Sequence, residues 1–106
     1  MIDVLKPVYE RTPNDDEIAM RLASAMLMTG RYTEARPVLD TFLVKHPNDQ
    51  AALFAAVFAQ YQATTREHLA VSIADRAKLA RYVRSYQGPQ QALLSKYLAV
   101  MAPGGR

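Results

Sequence analysis

Apolar residues recur along this chain at helical spacing, and short polar corners interrupt them. Ala19, Leu22, Ala23 and Met26 share one helix face, and Ala35, Leu39 and Phe42 share another. Leu53, Ala56 and Val57 continue the series. Leu79, Tyr82, Val83 and Tyr86 follow, and then Leu94, Tyr97, Leu98 and Met101. Steps of three and four residues mark amphipathic helices. The corners repeat as well. Thr12-Pro13-Asn14-Asp15-Asp16 returns as His46-Pro47-Asn48-Asp49-Gln50, at a spacing of 34 residues.

Each Pro-Asn-Asp can stop one helix and start the next. Proline disfavours helix in the residue before it, Asn is a good N-cap, and acids suit the first turn. Asn14 and Glu17 stand at capping-box spacing. Between the corners, Gly30 can take the left-handed conformation that closes a helix, and Thr33 can cap the next. Residues 14–29 and 33–46 are therefore predicted as a helix pair. Residues 3–12 read as the second helix of a preceding unit, with Asp3 capping so that Pro7 falls at the edge of the first turn.

After Asn48 the pattern drifts. Residues 49–62 repeat the first helix of the pair, but no Gly or Pro occurs between Asn48 and Gln87. A helix break is expected within 63–73, where Thr64/Glu67 and Ser72/Asp75 are competing capping boxes. The next helix should run to about Gln87. Gly88 then suits the residue after the helix, and Pro89 the first position of the last one.

A 34-residue period is one of the established repeat lengths. Gly30-Arg31-Tyr32, Glu34-Ala35 and Pro47-Asn48-Asp49 resemble the tetratricopeptide repeat. Ala19 stands where that family usually has Trp, Ala23 where it has Gly, and Leu39 where it has Phe. The resemblance is complete over residues 14–49. It implies an all-α fold, a short right-handed solenoid of antiparallel helix pairs with about six helices. The expected division is a partial repeat at 3–13, a complete one at 14–49, a divergent one at 50–87 and a capping helix at 88–102. A solenoid needs such a helix to cover its exposed edge, and the tail Pro103-Gly104-Gly105-Arg106 is expected to fray.

The resemblance also implies a function. First helices of such units line a concave surface, which here would carry Glu17, Met20, Ser24 and Leu27, then Ala51, Phe54, Phe58 and Tyr61. Some family members grip a terminal carboxylate with Lys and Asn; the corresponding places hold Met20, Ser24 and Ala55, so that clamp is absent. Met20, Ser24, Leu27, Phe54, Phe58 and Tyr61 suit an apolar peptide or amphipathic helix. The competing reading is that the C-terminal helices cover Phe54, Phe58 and Tyr61. The expected role is a scaffold, adaptor or chaperone-like module. The alternatives are self-association or an auxiliary domain cut from an enzyme. Leu5 and Val8 would meet an upstream helix that is missing from the first unit, so the N-terminal edge invites a symmetric homo-oligomer.

Composition narrows the chemistry. Seventeen Ala residues favour helix, and 106 residues suit one domain. There is no Cys, hence no disulfide or thiolate chemistry. The acidic N-terminus lacks a signal-peptide core and no run is long enough to span a membrane, so a cytoplasmic protein is expected. Nine Arg against four Lys is the balance of a GC-rich bacterial genome. His46 reads as a helix-end residue beside the last carbonyls. His68 has no second His at ligand spacing, so no metal or cofactor is expected. Asp15, Asp16 and Glu17 fit a helix N-terminus better than catalysis, and no phosphate loop or nucleophile motif occurs. Nothing points to an enzyme. Lys78, Arg81 and Arg84 share a face opposite Leu79 and Tyr82. That face could meet an acidic partner, but three basic residues without a wider field argue against nucleic acid.

Overall fold

The structure is a computed structural model describing residues 2–12 and 14–101. The described residues form six helices: α1 (Ile2–Arg11), α2 (Asp16–Met28), α3 (Tyr32–Lys45), α4 (Gln50–Arg66), α5 (Ile73–Ser85) and α6 (Gln91–Val100). No strand occurs among the described residues. Each helix packs on the next in sequence, and α6 also packs on α4. This is an all-α helical solenoid. The roles expected of Pro13 and of the tail from Pro103 lie outside the described residues.

The helical stripes become the core. Leu22, Leu39, Leu53, Val57, Leu79, Leu94 and Met101 are almost wholly buried. Ala23, Ala35, Ala52, Ala56 and Ala59 are buried among them, and their small side chains allow close helix approach. Tyr32, at the start of α3, is half-buried.

The corners use Asp where Asn was expected. Asp15 caps α2 by accepting from Ile18 N, and Asp49 caps α4 by accepting from Ala52 N. Both side chains thus satisfy an orphan N–H of the first turn, and a carboxylate also suits the helix dipole. Thr33 is not a cap. α3 begins at Tyr32 after Arg31, with no side-chain cap bond. Asp3 lies inside the first turn of α1, so Pro7 sits in the helix interior at an exposed position rather than at the edge.

Gly30 closes α2 as expected, with φ +78°. Arg31 N bonds Met26 O at 2.8 Å and Gly30 N bonds Leu27 O at 3.3 Å, the paired bonds of a Schellman ending. The corresponding place in the next unit, 34 residues on, is Thr64. Without a glycine there the helix continues for another turn. It stops at His68, which takes φ +57°. The left-handed residue is thus displaced by four positions, one turn of helix. Ser72 then caps α5, accepting from Asp75 N at 3.0 Å. Of the two candidate caps, Ser72 is used, while Thr64 is helical and accepts from Gln60 at 3.1 Å.

α5 ends at Ser85, two residues before the expected end, and Gly88 is not a left-handed cap. Its role is space: a Cβ there would run into the Tyr86 ring and hydroxyl. Pro89 precedes the cap residue Gln90 instead of opening α6.

The Arg36 guanidinium binds α3, α4 and α5 together. Its Nε donates to Asp40 at 3.0 Å, Nη1 to Gln60 at 3.0 Å and to Asp75 at 3.1 Å, and Nη2 to Asp75 at 2.7 Å. Burial alone disfavours the charge; the bonds to Asp75 and the proximity of Asp40 reverse that and raise its pKa. Tyr82 of α5 donates to Asp40 at 2.8 Å. Burial, then the bond to a carboxylate, holds this phenol well above its ordinary pKa.

The two helix endings predict opposite effects of glycine chemistry. Gly30→Ala should lower stability by roughly 1–2 kcal/mol, the cost of a Cβ in the left-handed region. His68→Gly should raise it by about 0.5 kcal/mol, relief of strain outweighing the added freedom of the unfolded chain. Urea titrations of both variants check this; a His68→Gly protein weaker than the parent would contradict the assigned ending.

Candidate interaction site

Phe54, Phe58 and Tyr61 stand at steps of four and three on α4, so their side chains share a face. All three are half-buried. Phe54 and Phe58 are nearly parallel, with ring centroids 6.2 Å apart. Tyr32, at the start of α3, meets Phe58 edge-on at 6.2 Å. Tyr86, just past α5, lies 6.1 Å from Phe54. Tyr97 of α6 stacks on Tyr61 at 4.0 Å and reaches Phe58 at 6.3 Å. Offset and edge-on contacts of this kind stabilise aromatic clusters beyond simple burial.

Tyr32, Tyr86 and Tyr97 were not assigned to this face from the sequence. Tyr86 and Tyr97 belonged to the apolar stripes of their own helices; tertiary packing brings Tyr86, at the end of α5, beside Phe54 and Tyr97 of α6 beside Phe58 and Tyr61. Partial cover by α6 therefore accompanies partial exposure. Phe54, Ala51 and Gln50 border a hollow of about 370 Å³ with Tyr86 and Gly88–Gln90.

The α2 part of the expected face has a different setting. Leu27 is half-buried against the core. Met20 and Ser24 line a hollow of about 670 Å³ with Leu5, Ala25, Met28 and Phe42. Leu5 is buried within the chain instead of presenting an open edge, and Val8 is half-buried. The exposed apolar residue of α1 is Val4.

Lys78, Arg81 and Arg84 lie opposite buried Leu79, Tyr82 and Val83, as the pattern predicted. Lys78 Nζ is 3.9 Å from Asp40, so its charge faces a carboxylate of the same chain. Arg81 and Arg84 are exposed. With Val44, Lys78 and Arg81 border a hollow of about 310 Å³ between α3 and α5.

Asp16 links the first helix pair at its corner. Lys45 Nζ is 2.8 Å from Oδ1, and His46 Nε2 is 2.7 Å from Oδ2. Lys45 also donates to Asn14 O at 2.9 Å. His46 reaches Phe42 O through its backbone N–H, while its ring serves Asp16. The bonds from Lys45 and then His46 hold the Asp16 carboxyl below its ordinary range. Among the described residues, no group of three acidic, His or Cys side chains is placed to hold a metal ion. None of the described helices is long and apolar enough to cross a membrane.

The geometry is that of an all-α helical solenoid with a row of aromatic side chains along α4. A family model for the tetratricopeptide repeat matches residues 2–62, more than half of the chain. The chain belongs to the tetratricopeptide repeat family. Repeats of this family are generally protein–protein interaction modules and are typically non-catalytic. No curated protein and no solved structure matches the chain.

The lowered Asp16 pKa has a pH signature. A depressed folded value contributes stability above the unfolded value and loses it as pH falls through the folded one. Asp16→Asn should therefore be less stable than the parent at pH 7. The gap should close as pH drops below the ordinary value of 3.8. Denaturant titrations of both proteins across that range measure it, and a gap independent of pH would remove the assigned role.

Proposed function

We propose that this chain is a non-catalytic binding module that receives an apolar peptide, or the apolar side of a partner helix, on its inner face. Met20, Ser24, Leu27, Phe54, Phe58 and Tyr61 would carry the contact, with Tyr97 extending it. The observation behind this reading is the setting of Phe58. Its ring has aromatic neighbours in Tyr32, Phe54 and Tyr97, yet it remains half-buried and is not part of the closed apolar core. An aromatic already held in place loses little freedom when a ligand covers it, which is the property of an interface anchor. No cofactor is needed. The face with Lys78, Arg81 and Arg84 ranks second, because Asp40 already engages Lys78.

Phe58→Ala separates an anchor from a core residue. Against a peptide selected from a library on the parent chain, the variant should bind about thirtyfold more weakly, or about 2 kcal/mol. Its folding stability should fall by less than the ~3–5 kcal/mol of a buried Phe. Unchanged peptide affinity with a full core-sized loss of stability would reverse the assignment.

A further inference from the structure

Val44 is 82% exposed, although α3 buries its other branched residues Val38, Leu39 and Leu43. Exposed Thr41 stands three residues before it on the same side of the helix, and exposed Pro47 follows just past the helix end. These three form one wall of the hollow of about 310 Å³ between α3 and α5. Lys78, Arg81 and Ser85, at steps of three and four on α5, form the other. Beside it the two helices are joined by polar bonds, Arg36 to Asp75 and Tyr82 to Asp40. The hollow shares no lining residue with the inner face around Phe58.

The charges on these walls set what the groove attracts. Asp40 is the one carboxylate among the lining residues. Its Oδ1 accepts from Arg36 at 3.0 Å and from Tyr82 at 2.8 Å, so the chain itself occupies that oxygen. Lys78 Nζ is 3.9 Å from Oδ2, near enough to be attracted but beyond a hydrogen bond, and its donors stay available. Arg36 and Lys78 together balance Asp40 and Asp75. Arg81 on the wall, and exposed Arg84 beside it, have no carboxylate within 4.0 Å among the described residues. The rim is therefore positive along α5, while the facing wall of Thr41, Val44 and Pro47 carries no charge.

We propose that this groove is a second docking site, for an acidic amphipathic segment of a partner protein. Apolar side chains along one edge of the segment cover Val44 and Pro47. Glu or Asp along the other edge meets Lys78 and Arg81. Covering Val44 supplies the larger gain, since burying a Val is worth more than an exposed ion pair. The charges fix which way round the segment lies and speed its approach. A surface this small suits a transient contact. Nucleic acid fits less well, because it leaves the uncharged wall without a partner and draws on a wider basic field than this rim provides.

NMR of the isotope-labelled chain tests this, with a synthetic helical peptide carrying Leu along one edge and Glu along the next. The Val44 methyl signals and the Thr41 and Arg81 amides should shift on titration, while Phe58 stays in place. Val44→Asp should weaken binding about tenfold. Arg81→Glu should weaken it about fivefold and flatten its dependence on salt. Val44→Ser and Arg81→Gln replace either variant if it loses its helical circular dichroism. Phe58→Ala should leave this binding unchanged, so the groove and the inner face stand or fail separately. Shifts confined to Phe54, Phe58 and Tyr61 overturn the site. Equal binding of the same peptide with Lys in place of Glu overturns the charge pairing. The absence of shifts at millimolar peptide overturns the proposal. So does tighter binding of a single-stranded oligonucleotide, or of phosphatidylserine vesicles, than of the acidic peptide.

Discussion

Arg36 is the one charged side chain buried among the described residues, at 7% exposure. A guanidinium has five N–H donors and cannot shed its charge in a protein, so burial obliges the surrounding helices to supply acceptors. Four bonds do so, from Asp40 on its own helix, Gln60 on α4 and Asp75 on α5. The two oxygens of Asp75 take the planar fork of the guanidinium, which sets direction as well as distance. Because Ser72 caps α5 through Asp75 N, one turn of helix both begins α5 and delivers the carboxylate to Arg36. Tyr82, about two turns further along α5, returns to Asp40. The orientation of α5, and with it the platform on which α6 rests, depends on this cluster. A buried ion pair is not by itself strong evidence for stability. Its role here is to specify which helices meet and in what register.

The pair α2 and α3 was legible because its signals are local. Gly30 closes a helix wherever a residue must turn left-handed, and Ala35 is buried because two helices cross there. The inner-face spacing of Phe54, Phe58 and Tyr61 follows from helix geometry alone. The passage from α4 to α5 was not legible for the same reason. Its extra turn is caused by Thr64 standing where a glycine would have stopped α4, and its ending uses His68, a residue with no strong left-handed signal. The choice of Ser72 over Thr64 as the cap follows from the tertiary position of Asp75. Arg36 looks like any surface arginine until its partner, 39 residues away, is brought to it. Gly88 was read as a conformational signal, but its purpose is to leave room for Tyr86.

These same long-range contacts shape the candidate surface. The packing of α6 on α4 brings Tyr97 onto Tyr61 and leaves Phe58 between cover and solvent. The aromatic row is therefore a product of α3, α4, α6 and the residue after α5, not of one helix pair alone. If α5 were free to shift, Tyr86 and Tyr97 would lose their places and the aromatic row would lose two of its rings. The polar cluster on one side of α4 and the aromatic face on the other are two consequences of how α5 and α6 are seated.

The most direct test of this account is a double-mutant cycle on Arg36→Met and Asp75→Asn, read by urea unfolding. Asp75→Asn keeps the backbone N–H bonded to Ser72, so the cap survives and only the carboxylate is removed. The account predicts that the two effects are far from additive, with a coupling of at least about 1 kcal/mol. Additive effects, with no coupling, would mean that α5 is seated by its apolar face alone and that the cluster does not set its register.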